Sequence, residues 1–91
     1  MITKVQFQVD NNVLYLQGIL DNHSLNSVWQ QQDTKYFNIK HIDTSQLSRV
    51  DSSGLALLTY LCIKYQVKLV SVNQQLKTLI ELYDLDNIVL N

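Results

Sequence analysis

The segment Arg49-Val50-Asp51-Ser52-Ser53-Gly54-Leu55-Ala56-Leu57-Leu58 constrains this chain more than any other. Asp and Ser side chains accept hydrogen bonds from the unpaired N–H groups of a first helical turn, so a helix should begin at Asp51 or Ser52. Its apolar run ends at Tyr65, and from Leu55 onward only Thr59 and Lys64 are clearly polar. Leu55, Leu58, Cys62 and Tyr65 share one face, while Leu57, Leu61 and Ile63 add apolar surface elsewhere. A surface helix normally carries a single apolar stripe. A helix over 52–65 with this pattern needs a sheet beneath it and a second cover, from its own chain or from another protein.

The flanking segments supply the sheet. Val5, Phe7 and Val9 alternate with Lys4, Gln6 and Gln8, which predicts a strand over Ile2–Val9. Asp10-Asn11-Asn12 is a turn signal, and Val13–Gly18 is the returning strand of a hairpin. Asp21-Asn22-His23-Ser24 is rich in N-cap formers and precedes Leu25, Val28 and Trp29, spaced i, i+3, i+4, with Gln30–Gln32 on the polar side of a short helix. A loop is expected over Asp33–Tyr36, a strand over Phe37–Ile42 and a polar connection over Asp43–Val50. After the apolar helix, the β-branched run Val67–Val72 predicts a strand, and strand–helix–strand at this spacing argues a right-handed parallel unit. Asn73 caps a last helix marked by Leu76, Leu79, Ile80 and Tyr83, and Asp84–Asn91 is a tail whose Ile88-Val89-Leu90 is placed as a docking edge. The order β-β-α-β-α-β-α gives an α/β fold over residues 1–91. It is a single domain with a mixed sheet of about four strands and three main helices packed on it.

Charge and composition narrow the function. Seven Lys/Arg against eight Asp/Glu leave a net charge of −1 with no basic cluster, which disfavours nucleic acid and anionic lipid as partners. The lone Cys62 cannot form an internal disulfide, which fits a reducing compartment. The N-terminal residues have no signal-peptide pattern and no segment approaches the ~18 apolar residues of a membrane span, so a cytoplasmic location without membrane insertion is expected.

Few residues could carry catalysis. The only glycines, Gly18 and Gly54, form no phosphate loop. His23 and His41 lie in different elements without ligands at metal spacing, and nothing near Cys62 would activate its thiol, so neither metal, cofactor nor enzyme is expected. Ser52 is the notable hydroxyl, but Asp51 beside it has no triad geometry and no nucleophile elbow surrounds it. Either Asp51, Ser52 and Ser53 only cap a helix, or Ser52 stands exposed at the carboxyl edge of the parallel strands, where open α/β sheets place their sites. A phosphate on Ser52 would suit the helix N-terminus but crowd Asp51. Trp29 fits an apolar stripe as core, and Lys77 with Glu81 reads as a solvated i,i+4 pair.

The run Ile42-Asp43-Thr44-Ser45-Gln46-Leu47-Ser48-Arg49-Val50-Asp51-Ser52-Ser53-Gly54-Leu55 resembles the signature of STAS domains, the sulphate-transporter and anti-sigma-antagonist family. There, one aspartate ends a strand, and a second, followed by Ser or Thr, a small residue and Gly, opens a helix. Leu20-Asp21, Val28-Trp29, Ser48–Asp51, Gly54–Leu58, Val72-Asn73 and Leu82-Tyr83 are similar to the STAS subunits of Gram-negative phospholipid-transport complexes. Such complexes join an ATP-binding cassette ATPase to an inner-membrane permease and maintain outer-membrane lipid asymmetry. The resemblance implies a non-enzymatic subunit, peripheral to the inner membrane, that binds the ATPase and supports its assembly and activity. It implies contacts through Asp51, Ser52, Ser53, Gly54, Leu55, Leu57, Leu58 and Trp29, so Asp at position 52 or 58 should release the ATPase. The family's functional hydroxyl falls on Ser52, usually Thr in the transport subunits and Ser in the antagonists, and Ser53 stands where the transport subunits have Gly. The alternative implied is an anti-sigma factor antagonist regulated by phosphorylation of Ser52.

Overall fold

The fold opens with a hairpin whose turn is set by two asparagines. Strand β1 (Gln6–Asp10) pairs antiparallel with β2 (Val13–Leu20), and Asp10 faces Val13 across a two-residue loop. Asn11 and Asn12 both take positive φ, 55° and 66°, which a tight primed turn requires and asparagine tolerates. The computed structural model describes residues 5–30 and 38–90. The expected strand residues 2–4, the loop over 33–36 and Phe37 therefore lie outside the described residues.

Helix α1 (Leu25–Trp29) follows a turn organised by Asp21. Its carboxylate accepts from the N–H groups of His23 (2.9 Å) and Ser24 (3.1 Å), and the Ser24 hydroxyl donates back to the Ile19 carbonyl at 2.6 Å. Ser24 occupies the N-cap position but its side chain makes no cap bond.

Strand β3 spans His41–Val50, not Phe37–Ile42, and the expected polar connection over Asp43–Val50 is strand throughout. It lies parallel to β2 on one side and to β4 (Lys68–Val70) on the other, giving a mixed sheet in the order β1-β2-β3-β4. Two bulges hide the alternation of β3 from a sequence reading. Leu16 faces both Thr44 and Ser45, and Ser48 is an extra residue between the Gly18–Leu47 and Ile19–Arg49 pairs. The Asp43 carboxylate accepts from the Ser45 N–H (2.9 Å) and hydroxyl (2.7 Å) at the first bulge. The Ser48 hydroxyl reaches the Gly18 carbonyl (3.1 Å) at the second, where Gly18 has φ 100°.

The described helices cover one face of the sheet. Along β2, Leu14, Leu16 and Leu20 are buried while Tyr15 and Gln17 are exposed. Helix α2 (Ser52–Tyr65), with the bounds its sequence predicts, buries Leu55, Leu57, Leu58, Leu61 and Cys62. Helices α1, α3 (Gln74–Leu82) and α4 (Asp86–Val89) pack against α2 and supply much of the second cover it needs. Helix α3 is capped by Asn73, whose side-chain oxygen accepts from the Leu76 N–H at 2.8 Å. The same side chain donates to the Leu47 carbonyl at 3.1 Å, tying the helix start to β3.

Two further expectations are corrected. Strand β4 stops at Val70, short of Val72, because Ser71 turns to φ 57°. Residues 86–89 form the one-turn helix α4 rather than an edge, making a fourth helix among the described residues. Its buried Val89 joins the core, and the Lys68 ammonium holds its carbonyl end through Asn87 (3.1 Å) and Ile88 (2.8 Å).

Candidate functional site

Ser52 stands at the carboxyl end of the parallel strand β3, at the first turn of α2. Asp51 has extended backbone (φ −97°, ψ −174°), and its carboxylate accepts from the Gly54 N–H at 2.9 Å. Its own N–H donates to the Leu20 carbonyl at 3.3 Å, which ties the entry of α2 to the end of β2. Gly54 closes this junction. A Cβ there would fall on the Leu20 carbonyl oxygen and come within 2.9 Å of Val50 Cγ1. Asp51 is thus the cap, and the described residues place no hydrogen bond on the exposed Ser52 hydroxyl.

Beyond Ser52 the exposed side of α2 continues as an open groove lined by Trp29, Ser53, Ala56, Leu57 and Tyr60. The rings of Trp29 and Tyr60 lie 4.8 Å apart at 38°, a tilted stack joining α1 to α2. Trp29 is 41% exposed and Tyr60 38%, so neither completes the core. The Lys64 ammonium sits 5.8 Å from the Tyr60 ring centre and marks the basic end of the groove.

The structure divides the residues singled out in the sequence. Ser52, Ser53, Leu57 and Trp29 border one continuous surface, with Asp51 shaping it through the backbone. Gly54, Leu55 and Leu58 face inward, and with Leu58 fully buried neither leucine offers area to a partner. Asp at position 58 would break the core rather than test a contact. Ala56 and Tyr60 are additions, and their spacing from Ser53 at i+3 and i+7 is the signal that groups them on one helical face.

The remaining titratable candidates are dispersed. Burial pushes the Cys62 thiol up to about 12, with the Lys68 charge opposing weakly, so the thiol stays protonated near neutrality. Among the described residues no group of three His, Cys, Asp or Glu side chains converges as a metal site. Nor is any described helix long and apolar enough to cross a membrane.

The family profile described as "Mlab, STAS domain" matches residues 3–90. The chain belongs to the STAS family. Its MlaB character is seen in 37% identity over 90 residues to the intermembrane phospholipid transport system binding protein MlaB of Escherichia coli, covering 93% of each chain. The Shigella flexneri protein of that name matches to the same extent. Among solved structures, the anti-sigma factor antagonist SpoIIAA shares the fold. Its unphosphorylated form superposes with a TM-score of 0.62 at 19% identity, covering 85% of this chain and 81% of that one. The phosphorylated Bacillus form gives 0.65 at 18% identity, covering 94% and 88%. At such identity these two likenesses speak for the STAS fold alone.

Proposed function

We propose that this STAS domain is a non-enzymatic subunit of a phospholipid-transport complex that binds an MlaF-like ATP-binding cassette ATPase and supports its assembly and activity. The observation that carries the proposal is the Trp29–Tyr60 groove beside the exposed Ser52, an aromatic-lined surface of the composition at which interfaces concentrate their energy. Aromatic anchors bordered by small residues, here Ser53 and Ala56, let a partner helix approach closely while Ser52 offers a hydrogen bond at the rim. The likeness to proteins named for phospholipid transport supplies the kind of partner. On this reading the domain works in the cytoplasm, peripheral to an inner membrane that holds the complex's permease. The test is co-purification with the transporter's ATPase. Ser52→Asp and Trp29→Ala should each lose the ATPase while remaining folded, and retention of an unchanged amount by both would refute the proposal.

A second reading, an anti-sigma factor antagonist switched by phosphorylation, draws on one observation. The Ser52 hydroxyl is exposed at a helix start and unengaged by the described residues, as a kinase substrate must be. Mass spectrometry of the protein from its native cell separates the two. Stoichiometric phosphate at Ser52 with no ATPase bound favours the switch, and unmodified Ser52 with ATPase bound favours the transporter.

A further inference from the structure

We propose that the corner where α3 turns into α4 is a second docking surface, which takes an arginine-bearing apolar segment of a partner protein. Leu82 is 74% exposed and Tyr83 51%, and Ile88 is exposed one turn further on. Three bulky apolar side chains thus stand in water within seven residues of chain, on either side of one turn. The corner is held rigid. Asp84 takes φ 57°, its N–H donates to the Glu81 carbonyl at 3.1 Å, and the Leu85 N–H donates to the Ile80 carbonyl at 3.0 Å. This paired closure of a helix end fixes the backbone, so little order has to be imposed when a partner arrives.

Charge selects the occupant. Residues 79–90 carry Glu81, Asp84 and Asp86 and no Lys or Arg, although the whole chain is close to neutral. Lys77 lies one helical turn before Glu81 and offsets part of its charge, which leaves Asp84 and Asp86 as the carboxylates at the turn itself. Lys68 reaches the corner, but its ammonium is held by the Asn87 and Ile88 carbonyls and leaves the local balance negative. Anionic headgroups would be repelled here, which argues against a membrane. A guanidinium suits both parts of the surface, since it stacks on a tyrosine ring and forks onto carboxylates, while apolar neighbours in the same segment cover Leu82 and Ile88.

The corner is separate from the Ser52 surface. Lys68 pairs with His41 at the start of β3, whereas Ser52 follows Val50 at its end. A strand of ten residues spans roughly 30 Å at ~3.3 Å per residue, so the two surfaces sit at opposite ends of the sheet.

The test is amide NMR of the isotopically labelled full chain, titrated with a short synthetic peptide of Arg, Leu and Phe. The controls are its counterpart with Glu in place of Arg, and phosphatidylglycerol vesicles. The Arg peptide should shift amides over 81–88 and leave those of Trp29 and 53–60 in place. Leu82→Glu, at an exposed site where folding should be kept, should weaken binding about tenfold or more. The double variant Asp84→Asn with Asp86→Asn should weaken it and flatten its salt dependence. Trp29→Ala should leave the titration unchanged, which keeps this result independent of ATPase binding. Equal binding of the Glu peptide, shifts centred on the Trp29–Tyr60 groove, or vesicle binding abolished by Leu82→Glu would each overturn the proposal.

Discussion

The backbone of Gly54 lies against the carbonyl of Leu20 so closely that no side chain fits between them. The contact seats the first turn of α2 on the end of β2, and the Asp51 N–H bonds the same carbonyl at 3.3 Å. The glycine of the Asp-Ser-Ser-Gly run is therefore a packing requirement at a helix–strand junction. Gly54→Ala should push α2 off the sheet and cost about 1–3 kcal/mol, as inserted methyl groups do in a tight core, even though alanine is the better helix former. Urea unfolding measures this, and a stability equal to or above that of the parent would contradict it.

Asp51 makes the side-chain cap of α2, through the Gly54 N–H at 2.9 Å. Asp51→Ala should cost about 1 kcal/mol and Asp51→Asn much less, because an amide oxygen still accepts that bond. Ser52→Ala should leave stability within about 0.5 kcal/mol, since the described residues make no use of its hydroxyl. Thermal unfolding of the three variants decides whether position 52 is structural.

Cys62 makes stability fall on the alkaline side. Its folded pKa is raised from 9.0 to about 12 by burial, so the folded chain keeps a proton that the unfolded chain releases. Stability from this group is intact below the unfolded pKa and declines as pH rises from 9 towards 12. The slope is about 1.4 kcal/mol per pH unit at most. Cys62→Ala should flatten that slope, and the native thiol should resist a disulfide reagent at pH 8 that reacts at once with the unfolded chain. Rapid native labelling would show the thiol to be accessible.

The two exposed-looking ends of the C-terminal region behave oppositely. Val89 is fully buried and Leu82 is 74% exposed. Val89→Ala should cost about 2 kcal/mol by lost burial and the cavity left behind, whereas Leu82→Ala should change stability by less than about 0.5 kcal/mol. Denaturation midpoints compare them directly. Equal losses would mean that Leu82 belongs to the core.

What the sequence makes legible follows from where the determining forces act. Helix α2 is legible to the residue because its cap and apolar run are local, and the β1–β2 hairpin because two asparagines punctuate an alternating pattern. Strand β3 is not. Its outward face, uncovered by the described residues, carries Asp43, Ser45 and Gln46, its buried Thr44 satisfies itself on the Val70 carbonyl at 3.3 Å, and two bulges break the period. A polar run of that kind looks like a loop until its neighbours are in place. Helix α4 escapes notice for a related reason, as one turn held by Lys68 from β4 leaves no periodicity to find. At the site, the sequence marks the right helix but not which way it faces, because apolar residues surround it. Rotation about the helix axis is set by the sheet and by α1, α3 and α4, and it moves Leu55 and Leu58 inward while bringing Ala56 and Tyr60 outward.

That rotation yields the sharpest contrast among the variants. Leu58 and Tyr60 are two residues apart on α2, one fully buried and the other 38% exposed against Trp29. Leu58→Asp places an unpaired carboxylate among core side chains, and its cost of several kcal/mol is comparable to the whole stability of a domain this size, so the variant should not fold. Loss of a partner in that variant would say nothing about contact. Tyr60→Asp leaves the core intact and should keep native circular dichroism and a cooperative melt. It should nonetheless weaken association with the transporter's ATPase by about tenfold or more, together with Trp29→Ala. Titration calorimetry on the folded variants measures both. Should Tyr60→Asp bind as the parent does, the groove is not where the ATPase sits, and the exposed Ser52 would have to act without its aromatic neighbours.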